Sequence, residues 1–275
     1  MKLSIFTTVS NPDGRGDNWK DALNCYLELA DEVVAVDGDF TNGQVEDHGS
    51  LKFVNHRWPK EFDWAFIGQQ FQRGYEAATG DWVIHADLDF VFHEKDFATI
   101  RAAMEAHPDA PALSFYKHQF ILPDRYNLKS RLVIMVNKGK FGDRIRFDSG
   151  GDLCQPSLDG KELKPDDVPE IRVPFYNYEK LTKTKPQIQD DAARMERAYY
   201  RHFGKQLYST SERGAYEGLI EMMVGRFNKP QKEIPLSEHP KFVQDTIRNL
   251  SPDQWGFNGF GLLPYNNYQK GEIDA

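Results

Sequence analysis

Short apolar runs rich in β-branched residues recur through the first hundred residues of this chain, and amphipathic stretches or turns separate them. Residues 2–9, Lys-Leu-Ser-Ile-Phe-Thr-Thr-Val, read as a first strand closed by the turn-forming Ser10-Asn11-Pro12-Asp13-Gly14. A helix is predicted from the capping residue Asn18 to Ala30, with Trp19, Ala22, Leu23, Tyr26, Leu27 and Ala30 on one stripe. Within 31–40, Val33-Val34-Ala35-Val36 forms a second strand ending at Asp37-Gly38, and 51–55 gives a third. A helical pattern over 67–78 stops at Gly80, and Trp82-Val83-Ile84 starts another strand. Runs this apolar are buried on both faces, as in a parallel sheet covered by helices. The order strand, helix, strand, strand, helix, strand predicts a doubly wound α/β half over residues 1–110. A helix at 94–106 closes it, and Pro108 and Pro111 mark the seam.

The second half, 111–275, changes character. Residues 112–120 and 131–137 read as strands with a loop at 122–129 between them, so this half is mixed. The Gly-, Asp- and Lys-rich stretch 139–167 reads as a mobile or substrate-covering loop. Helices are predicted at 187–203 and 240–250, and the aromatic tail at 255–268 suits packing or a lid. With 42 acidic and 34 basic side chains, net charge -8, general binding to nucleic acid or anionic lipid is not expected. No apolar run is long enough to span a bilayer and the first ten residues lack a signal-peptide layout, which implies a cytoplasmic protein. Cys25 and Cys154 have no zinc-like spacing and read as reduced thiols.

The run from Asp81 ends in Asp87-Leu88-Asp89, at the carboxyl end of a predicted buried strand, where open α/β sheets hold ligands. In an extended chain alternate residues face the same way, so both carboxylates would address one object while Leu88 turns into the core. A hard divalent cation carrying phosphate oxygens, Mg2+ or Mn2+, suits such a pair. An ordinary polar turn suits the spacing equally well.

The wider block carries more. Thr7 and Thr8 in the first strand, Asp37 ending the second, the helix Gln69-Gln70-Phe71-Gln72-Arg73-Gly74 running into Ala78-Thr79-Gly80-Asp81-Trp82, and Asp87-Leu88-Asp89 together resemble a GT-A nucleotide-sugar glycosyltransferase of the family-2 type. The resemblance covers about residues 1–105 and implies a nucleotide-sugar-binding half at 1–110 and an acceptor-binding half at 111–275. It implies that Asp89 binds the metal bridging a donor diphosphate and that Asp87 lies near the ribose or the metal. It also implies that Asp37, Thr7 and Thr8 line the nucleotide pocket and that Arg73 approaches the nucleotide. As residue types alone, the threonines suit any strand, Asp37 a turn, and Arg73 a solvated helix face. Two positions depart from the pattern: Phe90 stands where relatives often have an acid, and Asn177 where they often place a metal-binding His.

The resemblance further implies inverting transfer, in which a carboxylate deprotonates the acceptor hydroxyl. Asp148 and Asp152, flanking Ser149-Gly150-Gly151, are the candidates, with Asp152 preferred because the glycines allow close backbone approach. His85, His93 and His118 are alternatives to them. Arg131 and Lys138 either neutralise an anion or form surface ion pairs, and Lys180, Lys183 and Lys185 either cover phosphates or are solvated. The expected partners are a nucleoside diphosphate sugar and a carbohydrate or other hydroxyl acceptor. Two rival functions remain, a noncatalytic nucleotide-sugar or glycan-binding protein and a nucleotidyltransferase. The Gly-rich, basic phosphate loop of the latter is not evident in 10–17.

Overall fold

The computed structural model describes residues 1–38, 49–208, 214–227 and 229–250. The tail at 255–268 and positions 39–40 of the second strand run lie outside these. The first half contains β1 (Leu3–Val9), α1 (Pro12–Arg15), α2 (Trp19–Leu29), β2 (Glu32–Asp37), β3 (Leu51–Asn55), α3 (Phe66–Ala77), β4 (Trp82–His85), β5 (Phe90–Phe92) and α4 (Phe97–Ala106). The second contains β6 (Ala112–Leu122), β7 (Arg125–Asn137), α5 (Lys138–Phe141), β8 (Ile145–Ser149), β9 (Gln155–Leu158), β10 (Lys161–Glu162) and β11 (Glu170–Asn177). After them come α6 (Lys185–Phe203), α7 (Ala215–Phe227), β12 (Lys232–Glu233) and α8 (Lys241–Arg248).

The protein is α/β, with a parallel half and a mixed half, the layout that the GT-A resemblance implies. β3, β2, β1 and β4 pair in parallel in that order, with Ile5 between Val33 and Ile84. The alternation of β1 explains the two covering layers. Leu3 and Ile5 join Val33, Trp82 and Ile84 in the core under α2, whereas Phe6 joins Val34, Val83, Phe71 and Tyr75 under α3. Gly74 of α3 sits so close to Phe6 that a Cβ there would lie 2.5 Å from the ring. The sheet continues through the seam: β7 pairs antiparallel with β4, then follow β6, β11 and β5. Among the described residues no helix is long and apolar enough to cross a membrane.

Two expectations need correction. Residues 122–129 are not a loop, because β6 and β7 form a long hairpin turning at Pro123-Asp124. Its far end is half-exposed and held by the backbone ladder, so apolar alternation fades there. The stretch 139–167 is also ordered, as α5 and the three-stranded sheet β10-β9-β8. Within it Gly142, Gly150, Asp159 and Gly160 take the positive φ of tight turns, at 50°, 75°, 52° and 79°. Helix α7 was not anticipated.

Candidate functional site

Only Ala86, Asp87, Leu88 and Asp89 join β4 to β5, although β7, β6 and β11 separate these strands in the sheet. On a flat sheet four strand spacings amount to about 19 Å. The link does not stretch across that distance; it turns, with Phe90 N donating to Asp87 O at 2.8 Å. The sheet must therefore curl until β4 and β5 meet, and the aspartates occupy the turn at that seam. A turn, and not the alternation of an extended strand, presents them. The Tyr26 hydroxyl from α2 braces this turn, within hydrogen-bonding reach of Asp87 O and 2.8 Å from Phe90 O. On the other side Tyr178 N donates to Asp89 O at 2.9 Å.

The turn opens into a cleft of about 560 Å³. Thr8 and Ser10 line it from the end of β1, His85 and Asp87 to Phe90 from the seam, Lys117 from β6, Asp152 from the turn between β8 and β9, and Glu179 and Lys180 from the segment after β11. Trp58, Phe62, Trp64 and Phe71 form an aromatic wall. The Trp58 and Trp64 indole nitrogens are buried without a hydrogen-bond partner, two donors suited to an oxygen-rich ligand. Trp58 is placed by backbone: its N–H donates to Gly38 O at 2.8 Å, and a Cβ at Gly38 would strike its ring. Gln70 fixes the same segment through two 2.7 Å hydrogen bonds with His56.

The acids differ in environment. Asp87 is 43% exposed, with Oδ1 3.1 Å from His85 Nε2. Asp89 Oδ1 is buried without a partner, and burial, then the charges of Asp87 and Glu179, push its carboxyl up to about 8. Asp152 reaches solvent at the cleft mouth, yet partial burial and then Asp87 raise it as well. Burial also raises Glu179, but Lys180 at 2.6 Å, Lys117 and Arg226 outweigh it and hold that carboxylate well below the usual range. Cys154, nearby, is pushed far up by burial and is a poor nucleophile.

One edge of the cleft is an ionic knot. Lys183 donates to Asp17 at 2.6 Å and Asp191 at 2.9 Å; Arg15 pairs with Asp17 at 2.9 Å, and Arg194 with Asp191 at 2.7 Å. Lys183 is 3% exposed, so the solvated reading is wrong for it. Lys180 is likewise largely enclosed, and Lys185 lies over the Tyr216 ring. The knot ties the turn after β1 to α6.

The remaining candidates scatter. Thr7 is fully buried behind Thr8 with its hydroxyl unpartnered, and Asp37 is buried at the end of β2 outside the cleft lining. Arg73 pairs with Glu76 at 3.5 Å, in a second groove between α3 and β8. Asp148 faces that groove and accepts from Ser157 Oγ at 2.7 Å, so the two candidate bases lie in different depressions. Asn177 is buried, paired with Phe90 in the β11–β5 ladder, and its Oδ1 has no partner. Arg131 and Lys138 are structural: Arg131 pairs with Asp166, and Lys138 donates to the carbonyls of Tyr75, Glu76 and Ala78 at the end of α3. His93 and His118 are absent from the cleft lining, and His118 stacks on Tyr126.

Among the described residues no three His, Cys, Asp or Glu side chains gather on a metal-sized point. A hard cation shared with phosphate oxygens needs only one or two carboxylates from the protein. Asp87, with the unpartnered oxygens of Asp89 and Asn177 beside it in the sequence of strands, fits that chemistry.

No protein-family model matches the chain, and no curated protein matches it in sequence. Among solved structures, S. aureus TarS 1-349 is 14% identical with a TM-score of 0.42, covering 99% of this chain and 88% of that one, and its complex with UDP gives the same values. Glucosyl-3-phosphoglycerate synthase from Mycobacterium tuberculosis, in complex with Mn2+ and UDP-glucose, is 15% identical over 43% of each chain, with a TM-score of 0.30. The bifunctional IspDF from Campylobacter jejuni is 11% identical over 51% of this chain and 42% of that one, with a TM-score of 0.34. At such distances the likeness is one of general layout, and function has to be argued from this chain's own cleft.

Proposed function

We propose that this protein is a metal-dependent glycosyltransferase that moves a sugar from a nucleoside diphosphate sugar to a hydroxyl acceptor, a glycan, with inversion at the anomeric carbon. One observation carries the reading: a braced turn brings Asp87 and Asp89 into a cleft at the carboxyl ends of the parallel strands, where Asp152 arrives from a separate segment. Asp87 and Asp89 would hold Mn2+ or Mg2+, with Asn177 behind them. The cation supplies Lewis-acid stabilisation of charge on the departing diphosphate. Thr8, backed by Thr7 and Asp37, belongs to the nucleotide end of the cleft.

Asp152 acts as the base. Its raised pKa brings it nearer to neutral pH, which makes it a stronger proton acceptor than an ordinary surface aspartate. The acceptor oxygen bonds to the anomeric carbon as the bond to the diphosphate oxygen breaks, and the hydroxyl proton passes to Asp152. In this reading residues 1–110 bind the donor and 111–275 the acceptor.

Calorimetry with a panel of nucleoside diphosphates, with and without Mn2+, followed by transfer assays, tests the assignment. Mn2+-dependent binding with turnover is expected. Binding without turnover across a broad acceptor panel would make the protein a noncatalytic binding module, and pyrophosphate release from a nucleoside triphosphate would make it a nucleotidyltransferase.

A further inference from the structure

Past the acids the cleft adjoins a smaller cavity of about 110 Å³, sharing Glu179, Lys180, Tyr208 and Leu219 with it, and Arg226 of α7 lines this second space. Lys117 of β6 and Lys129 of β7 are direct cross-strand partners, so two like charges stand side by side on one face, which costs stability. Arg226 adds a third charge: after burial, it is the largest influence depressing Lys129, ahead of Lys229 and Lys117. The acid on which Lys117 and Arg226 act together is Glu179, which is already paired with Lys180. Among the described residues neither Lys117 nor Arg226 has a carboxylate partner. Lys117 lies over the Phe90 ring at 5.6 Å, and Arg226 donates to Met222 Sδ at 3.5 Å.

In a chain of net charge -8, such a repulsive cluster opposes the needs of the fold, and a ligand that brings negative charge accounts for it. We propose that this end of the cleft receives a phosphate group carried by the acceptor, held by Lys117, Lys129 and Arg226. The proposal rests on the glycosyltransferase reading of the same cleft. A guanidinium fork with two ammonium groups suits phosphate oxygens. Lys117 stands at the junction, since its charge also acts on Asp89 and Asp152. A phosphate seated there leaves a neighbouring hydroxyl of the same molecule on the Asp152 side.

The test uses the full chain, glycerol 3-phosphate as anionic probe, glycerol as its neutral counterpart, and a nucleoside diphosphate with Mn2+ for the donor end. Calorimetry should show wild type binding glycerol 3-phosphate and not glycerol. The double variant Lys129→Gln/Arg226→Gln should lose about tenfold or more of that affinity. Its nucleoside diphosphate affinity should stay within about twofold of wild type, since charges away from the donor contribute little to it. Its thermal midpoint should be unchanged or higher, because like-charge repulsion is relieved. Equal glycerol 3-phosphate binding by variant and wild type, or none by wild type, would overturn the proposal. A parallel loss of nucleoside diphosphate affinity in the variant would overturn it too, assigning the cluster to the donor. Failure of wild type to bind any nucleoside diphosphate while the anionic probe still binds would instead remove the glycosyltransferase reading.

Discussion

Replacing Asp89 by asparagine keeps the shape of the side chain and removes its ability to ionise. In the wild type burial and the neighbouring acids push this carboxyl up to about 8, so at pH 6 it holds its proton and a cation must displace it. Two pH units below the pKa, that competition costs about a hundredfold in apparent affinity. It vanishes above pH 8. Calorimetry with a nucleoside diphosphate and Mn2+ should show affinity rising about tenfold from pH 6 to 7 and levelling off through about 8, with about one proton released per site at the acid end. Proton release is read from the dependence of the heat on the ionisation enthalpy of the buffer. Asp89→Asn should bind weakly, and with the nucleotide's own titration subtracted its affinity should be flat with pH. Stability without metal runs the other way. Because the folded pKa lies above the unfolded 3.8, the stabilising contribution is complete below pH 4 and is lost as pH rises through about 8. The variant should therefore melt higher than wild type at pH 8 when both are metal-free. Identical pH slopes in the two proteins, or undiminished Mn2+-dependent binding by the variant, would refute the assignment.

Asp152→Asn should keep donor affinity while kcat falls by about 10²–10⁴, whereas Asp148→Asn should transfer at nearly the wild-type rate; steady-state kinetics of both separate the candidate bases. Lys183→Met removes the cation shared by Asp17 and Asp191 and leaves them only Arg15 and Arg194, and urea unfolding should show a loss of about 3 kcal/mol. Burial raises Glu32, but Lys52, Ser4 and Thr79 outweigh it and hold the carboxylate at about 2. Its contribution is present above the unfolded value of 4.5 and lost as pH falls through about 2. Glu32→Gln should thus cost about 3 kcal/mol at pH 7, with the gap to wild type closing toward pH 2 in acid unfolding curves.

The parallel half was legible because its strands are apolar on both faces and its helices carry a single stripe, so burial and sequence pattern coincide. Helix α3 starts one residue before its expected position and ends one residue early. The second half hid for the opposite reason. In the 125–131 portion of β7 much of the surface is half-exposed, and turn residues in 139–167 join strands that are too short to show a period. At the site, the acid pair was visible as a motif, but its presentation by a turn depends on the curl of the whole sheet. Lys117, Glu179 and Arg15 gave no signal, since nothing in the local sequence marks them and they reach the cleft only through strand pairing, the chain after β11 or the ionic knot. Lys183 was misleading because neighbouring lysines in sequence suggest a solvated face. Gln70 and Gln72, inside the most family-like block, serve His56 and Phe147 instead of a ligand.

Because the two ends of the acid turn are built into strands that only the curl brings together, the spacing of Asp87 and Asp89 is a property of the entire closed circuit. A slip in the pairing of β7, β6 or β11 would reach those carboxylates as a change of separation without touching either residue. The long hairpin and β11 thereby act as a gauge that sets how the two carboxylates meet whatever the cleft holds.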